Sequence, residues 1–211
     1  MSSLFVTFEG IEGCGKSTQI GRLAKRMAEA GREAVTLREP GGTPIGEAIR
    51  GVVKFPPGDE PISPDAELLL MNASRAQLVQ QAIRPAWAKD AVVLCDRFYD
   101  SSLAYQGYGR GLDLAKVRQA IDLAVGETKP NLTLLLDIPL DVSQARVGAR
   151  QQSTGEGQDQ FDQAGEAFFE RVHAGFHAFA KGEPERYRVI DGTQSPEAVA
   201  EAVWDCVKPL L

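Results

Sequence analysis

A length of 211 residues suits one domain over residues 1–211, and 43% hydrophobic with 25% charged residues is ordinary for a globular protein. The formal net charge of −6 argues against a general binder of nucleic acid or anionic membranes, which would carry a basic excess. Three scattered cysteines are too few for a disulfide framework, and no apolar run is long enough to span a membrane. We therefore expect a cytoplasmic setting, with neither nucleic acid nor membrane as a partner.

Strand patterns alternate with helical patterns along the chain, which predicts an α/β fold with a mainly parallel sheet. Apolar runs predict strands at residues 4–8, 34–37, 91–95, 132–136 and 188–190. Helical spacing predicts helices after residue 17 and at 45–53, 65–89, 113–126, 139–149, around 169–179 and at 198–210. Within 65–89, Pro85 interrupts the pattern and favours a kink. The segments predicted to be loops are 55–64, 107–111 and 150–160, the last of them mobile.

Residues 10–17, Gly-Ile-Glu-Gly-Cys-Gly-Lys-Ser, fit the phosphate-binding pattern G-x-x-x-x-G-K-[ST] between a predicted strand and a predicted helix. Glycines let successive backbone N–H groups point at phosphate oxygens, and the helix adds the positive end of its dipole. We expect Lys16 to reach the β- and γ-phosphates and the Ser17 hydroxyl to ligate Mg²⁺. The predicted nucleotide-binding residues here are Gly10, Glu12, Gly13, Cys14, Gly15, Lys16, Ser17 and Thr18.

Asp96 follows a strongly apolar strand, as the carboxylate beside Mg²⁺ does in a Walker-B strand. Asp137 follows another apolar strand, but Ile138-Pro139 after it is more typical of a strand-to-helix junction. Arg97 suits bidentate contacts to phosphate oxygens, with an ion pair to Asp96 or Glu39 as the alternative. Because ligands bind at the carboxyl ends of parallel strands, these side chains should share one rim with the phosphate loop.

His173 and His177 stand four residues apart on a predicted helix, a spacing that metal ligands use. No glutamate occupies the H-E-x-x-H position, and the sequence offers no evident third ligand. We therefore do not predict a metal site at these histidines.

Five segments, taken together and in this order, resemble the bacterial thymidylate kinase family: residues 10–17, 38–43, 96–98, 101–107 and 191–193. The resemblance covers nearly the whole chain. It implies a P-loop NTPase-type fold, with a five-stranded parallel sheet surrounded by helices and a mobile lid at about residues 146–160. It also implies ATP-dependent, in-line phosphorylation of dTMP to dTDP with Mg²⁺, in a homodimer whose surface includes the helical segment 65–89.

The resemblance also assigns residues to the donor side of the reaction. Lys16, Arg97 and a lid arginine, Arg150, would be catalytic, while Ser17 and Asp96 would hold the metal. Arg146 or Arg150 would lie near the adenine, beside residues 191–193.

On the acceptor side, the resemblance implies that Arg75 donates to the thymine carbonyl and that Tyr105 packs on the deoxyribose. Ser102 and Gln106 would read the base edge. Arg50 and Arg97 would hold the phosphate of dTMP, and Glu9 and Glu39 would lie near the sugar and near these two arginines. The residues implied to bind dTMP are Glu9, Glu39, Arg50, Met71, Arg75, Arg97, Ser102, Tyr105 and Gln106.

Two positions depart from the family pattern. Met71 stands where members typically place a phenylalanine that stacks on thymine; a thioether contacts a ring without that stacking geometry, so base affinity or selectivity can differ. Asp159-Gln160 stands where the lid often carries Asp-Arg, so the lid cation would come from Arg150 or Arg146.

Three other functions stay open on the sequence. Another P-loop kinase would act on a different nucleotide or a deoxynucleoside, although paired phosphate-binding arginines favour a monophosphate. A GTPase switch would normally carry Asn-Lys-x-Asp, which this chain lacks. An ATPase that acts on nucleic acid is disfavoured by the net charge of −6.

Overall fold

The computed structural model describes residues 4–58, 60–155, 159–161 and 164–211. Its centre is the predicted sheet of five parallel strands, and their order is β2-β3-β1-β4-β5. The strands are β1 (Phe5–Glu9), β2 (Ala34–Arg38), β3 (Val92–Asp96), β4 (Leu132–Asp137) and β5 (Tyr187–Asp191).

Helices cover both faces of this sheet, and several begin at side-chain caps. The described helices are α1 (Lys16–Glu29), α2 (Pro44–Lys54), α3 (Pro64–Leu78), α4 (Arg84–Trp87), α5 (Tyr99–Ser102), α6 (Leu114–Val125), α7 (Leu140–Thr154), α8 (Glu166–Gly182) and α9 (Pro196–Val207). Thr43, Ser63 and Ser195 accept hydrogen bonds from the backbone N–H groups three residues on, which satisfies donors at the starts of α2, α3 and α9. None of the described helices combines the length and the apolarity needed to cross a membrane.

The order of the strands determines where a ligand can bind. β1 is central and is buried along its whole length, between β3 and β4. The chain leaves β1 at Glu9, so the phosphate loop emerges at the middle of the carboxyl edge. Asp96 ends β3 on one side of it and Asp137 ends β4 on the other. Parallel α/β sheets bind ligands at this position.

Two predicted loops were partly wrong. Residues 103–109, Leu103–Gly109, form a π-helical segment. Its Gly107 and Gly109 serve close packing rather than a loop, since a Cβ on Gly109 would lie 2.5 Å from the Phe168 ring. Helix α7 continues to Thr154, so the predicted loop over 150–160 begins later than expected. Residues 156–158 of the predicted lid lie outside the described residues, and its mobility stays a prediction.

The predicted helix over 65–89 forms with an interruption before its proline. A π-helical turn, Val79–Ile83, separates α3 from α4, and Pro85 lies in the first turn of α4. Since proline carries no N–H group, the wider turn before it accommodates the missing donor without ending the helical path.

Candidate active site

The phosphate loop has a backbone shape that depends on glycine. Gly10 and Gly15 have φ values of +133° and +99°, which side-chain-bearing residues rarely adopt. A Cβ on Gly10 would lie 2.5 Å from the Leu136 carbonyl oxygen. The loop wraps around Lys16, whose buried ammonium donates to the carbonyls of Gly10 and Ile11 at 3.1 Å each. Helix α1 begins at Lys16, so its positive end faces the loop.

Ser17 and Asp96 meet at the mouth of this loop. The Ser17 hydroxyl donates to Asp96 Oδ2 at 2.8 Å, although the two residues are 79 positions apart. A hydroxyl and a carboxylate are hard oxygen donors of the kind that Mg²⁺ prefers. Asp137 does not line the cleft described next, and its carboxylate contacts two histidines of α8.

A cleft of about 660 Å³ extends from the phosphate loop to α3 and to the helical segment 99–109. The predicted residues that line it are Glu12, Gly13, Gly15, Lys16, Ser17, Thr18, Glu39, Arg50, Met71, Arg75, Asp96, Arg97, Ser102, Tyr105, Gln106, Arg146 and Arg150. Glu9, Gly10 and Cys14 are buried beneath this surface and do not line the cleft. Other lining residues that we did not predict include Arg38, Lys54, Ser101, Asp159 and Phe161.

Arg75 is held at the far end of the cleft by buried partners. It is 2% exposed and donates to Glu39 Oε2 at 2.8 Å, Asn72 Oδ1 at 2.8 Å and Ser102 Oγ at 3.0 Å. These bonds join α3, the end of β2 and α5, so the guanidinium group is fixed in position. Its orientation does not depend on a ligand.

Glu39 therefore pairs with Arg75 and does not pair with Arg50 or Arg97. Burial raises the pKa of Glu39 to about 7, against the lowering effect of Arg75. Its second oxygen, Oε1, is buried and has no hydrogen-bond partner among the described residues. Since Glu39 lines the cleft, this oxygen could accept a hydrogen bond from a ligand.

Arg97 connects the phosphate loop with the helical segment 99–109. Its Nη2 donates to Glu12 Oε1 at 2.8 Å and to the Tyr105 hydroxyl at 3.1 Å, and Tyr105 donates to Glu12 at 2.9 Å. The ion-pair partner of Arg97 is thus Glu12 rather than Asp96 or Glu39. Arg97 has a φ of +67°, a conformation that non-glycine residues rarely adopt and that is concentrated at functional sites.

Glu9 lies beneath this network rather than beside the cleft. Its carboxylate accepts from the Phe98 N–H at 2.8 Å and from the Ser101 hydroxyl at 2.6 Å. Burial, with a further contribution from Asp100, raises the pKa of Glu9 to about 7. Glu9 therefore positions the chain that carries Arg97, and its place near the sugar stays a prediction.

Gln106 belongs to a second buried network, centred on Glu67. Glu67 is fully buried and accepts from Gln106 at 2.9 Å, from Arg110 at 2.9 Å and from Gln160 at 3.1 Å. No sequence pattern indicated this network, because a glutamate in the first turn of a helix is ordinarily solvated.

Residues 159–161, at the end of the predicted lid and just beyond it, contact residues that line the cleft. Asp159 pairs with Lys54 at 2.9 Å, and the Phe161 ring packs edge-on against Tyr105, with 5.8 Å between ring centroids. Gln160, at the departure from the family pattern, binds Glu67 and also donates its backbone N–H to the Lys54 carbonyl. These contacts join residues that are far apart in the sequence, so no local motif could have predicted them.

Arg146 ties the phosphate loop to the loop after β5. It donates to the carbonyls of Gly13 at 3.2 Å and Gly192 at 3.1 Å. This places it beside residues 191–193, where the adenine was predicted. Arg150, one turn further along α7, lines the cleft.

A protein-family model described as Thymidylate kinase matches residues 8–203. The chain belongs to the thymidylate kinase family. It is 50% identical to a thymidylate kinase of Geobacter sulfurreducens, over 95% of this chain and 94% of that relative. It is 47% identical to one of Pseudomonas fluorescens strain SBW25, over 100% of this chain and 97% of the relative. A crystal structure of thymidylate kinase from Ehrlichia chaffeensis superposes with a TM-score of 0.78 at 32% identity, covering 99% of this chain and 100% of that one.

Proposed function

We propose that this protein transfers the γ-phosphoryl group of ATP to dTMP, giving dTDP and ADP. The observation that carries the proposal is one continuous cleft with a phosphate loop at one end and a fixed, buried Arg75 at the other. A cleft of about 660 Å³ is within the range of ligand pockets in proteins. Family membership favours thymidylate as the acceptor over other monophosphates.

On the donor side, the loop backbone and Lys16 hold the β- and γ-phosphates. Ser17 and Asp96 offer two adjacent hard oxygens and so fit Mg²⁺, which when bound neutralises phosphate charge. Arg150 approaches from the lid side, and Arg146 lies where the base of ATP is expected.

On the acceptor side, Arg97 and Arg50 orient the dTMP phosphate in line with the donor. Arg75 donates to a thymine carbonyl, and Tyr105 lies against the sugar. The attacking phosphate oxygen is already anionic, so this arrangement needs no general base. Catalysis then rests on positioning and on neutralisation of charge.

A homodimer is the proposed assembly, supported by exposed apolar side chains on three helices. Val52 of α2, Leu69 of α3 and Leu123 of α6 are 40%, 64% and 90% exposed, and α3 packs against both other helices. Exposed apolar side chains on helices that pack together fit an association surface. The unpaired cysteines support a cytoplasmic, reducing location.

Product analysis tests the proposed reaction. The protein is incubated with ATP, Mg²⁺ and dTMP, and the nucleotides are separated by anion-exchange chromatography. We expect equal amounts of dTDP and ADP. ADP without dTDP, or no turnover by a folded protein, would contradict the proposal.

A further inference from the structure

A three-residue cluster lies on the α8 side of the sheet and takes no part in the proposed reaction. Asp137 ends β4, while His173 and His177 are one turn apart on α8. The Nε2 atoms of His173 and His177 lie 2.7 Å and 3.1 Å from the same oxygen, Asp137 Oδ1. None of the three lines the nucleotide cleft. Asp137, at the end of β4 and 36 residues before His173, is therefore the candidate third ligand that the sequence did not reveal.

The geometry of the cluster is close to that of a metal site. One ligand atom from each residue lies within 4.8 Å of the other two, and the imidazole centroids are 4.6 Å apart. A tetrahedral zinc ion with bonds of about 2.0–2.2 Å would need ligand atoms roughly 3.3 Å apart, which is a small rearrangement. The side chains are 30–42% exposed, so a cation can enter from solvent and keep water in a remaining position.

We propose that Asp137, His173 and His177 bind a divalent transition-metal cation of the zinc class. Two imidazole nitrogens and one carboxylate suit Zn²⁺, and the stability order of the first-row metals extends this to Cu²⁺ and Ni²⁺. Mg²⁺ is a poor match, because it prefers an all-oxygen shell. The site is therefore chemically distinct from the pair of oxygens at Ser17 and Asp96.

A cation held here links α8 to the carboxyl end of β4. Helix α8 also carries Phe168 and Phe176, whose rings pack against Tyr105. Because the unfolded chain does not hold the three ligands together, binding stabilises the native state. The cation adds a structural link and supplies no step of phosphoryl transfer.

The test exploits the presence of only two histidines in the chain. The full-length protein, without a histidine tag, is titrated with ZnCl₂ in excess Mg²⁺ and without nucleotide, and imidazole signals are followed by NMR. We expect both histidines to shift together and the thermal unfolding midpoint to rise. If the imidazole signal of one or both histidines does not respond to zinc up to millimolar concentrations, the proposal is overturned. This result needs no variant.

Variants then assign the ligands by calorimetry. His177→Ala and Asp137→Asn should each weaken zinc binding by more than about 100-fold, since even outer-shell partners of metal ligands change affinity 10- to 100-fold. Cys206→Ser is the matched control, because it removes a partly exposed thiol from the far end of α9 and should leave binding unchanged. Full zinc binding in His177→Ala or in Asp137→Asn would also overturn the proposal.

Discussion

The two ends of the cleft are built in different ways. The donor end is a short stretch of backbone, in which glycine conformations and one lysine create a site for phosphates. The acceptor end is built from side chains of separate elements, and each is fixed by buried hydrogen bonds to another. On the proposed function, the donor end recognises what all nucleoside triphosphates share, whereas the acceptor end discriminates among monophosphates. Arg97, Glu12 and Tyr105 connect the two.

The largest effect should come from removing the donor-side cation. Lys16→Ala should lower kcat by about 10³-fold with every acceptor, because a positioned charge on the transferring phosphate is lost. Steady-state ADP release measures this, with the exposed Lys25→Ala on the same helix as the control. A loss confined to one acceptor would contradict the division between the two ends.

Arg97→Lys tests the connection between the ends. Lysine keeps the charge but not the planar fork, so the KM for dTMP should rise about 10- to 100-fold, as expected for losing a hydrogen bond to a charged group. The KM for ATP should change less. Arg118→Lys, on the exposed face of α6, is the control. An equal rise in both KM values would show that Arg97 serves the donor end as much as the acceptor.

Met71→Phe should act on the acceptor end alone. An aromatic ring in place of the thioether restores base stacking, worth about 0.5–1.5 kcal/mol, so the KM for dTMP should fall about 2- to 10-fold. The KM for ATP should stay unchanged. Met71→Leu, which adds no ring, separates stacking from simple filling of space. If both variants lowered the KM for dTMP equally, stacking would not be the cause.

The smallest effect concerns stability at the acceptor end, where a carboxylate is buried. The pKa of Glu39 rises from 4.5 to about 7 on folding, so the native state binds a proton that the unfolded chain releases. The contribution of Glu39 to stability is therefore present below about pH 4.5 and is lost as the pH rises through about 7. Glu39→Gln should reduce the fall in stability across this range.

Urea unfolding at several pH values measures that fall. The pKa of Glu9 is also raised on folding, so Glu9 should account for much of the pH-dependent loss of stability that remains in Glu39→Gln. Glu33→Gln, at an exposed position, is the control. An unchanged pH profile in Glu39→Gln would show that Glu39 does not titrate in this window.

The donor end could be predicted from the sequence better than the acceptor end, because it is a local motif. The phosphate loop is a local motif, so one segment was enough to predict its place between a strand and a helix and the role of Lys16. Asp96 was predicted from the apolar strand that precedes it. Arg75, Ser102 and Gln106 were found only by family resemblance, since an arginine on a helix is ordinarily solvated. The Glu12–Arg97 pair, the Glu67 network and the Asp137–histidine cluster join residues 85, 93 and 40 positions apart at their widest. Such contacts depend on the register of strands and helices, which no single segment encodes.

On the proposed function, the acceptor end selects the thymine base while the donor end is indifferent to it. The direct measurement is kcat/KM for dTMP, dUMP and dCMP with saturating ATP and Mg²⁺. Arg75 can only donate hydrogen bonds, so a proposed contact with the O4 carbonyl of thymine would be lost at the amino group that cytosine carries in its place. We expect dCMP to be used at least about 100-fold less efficiently than dTMP, with the same KM for ATP. Equal efficiencies for dTMP and dCMP would contradict it.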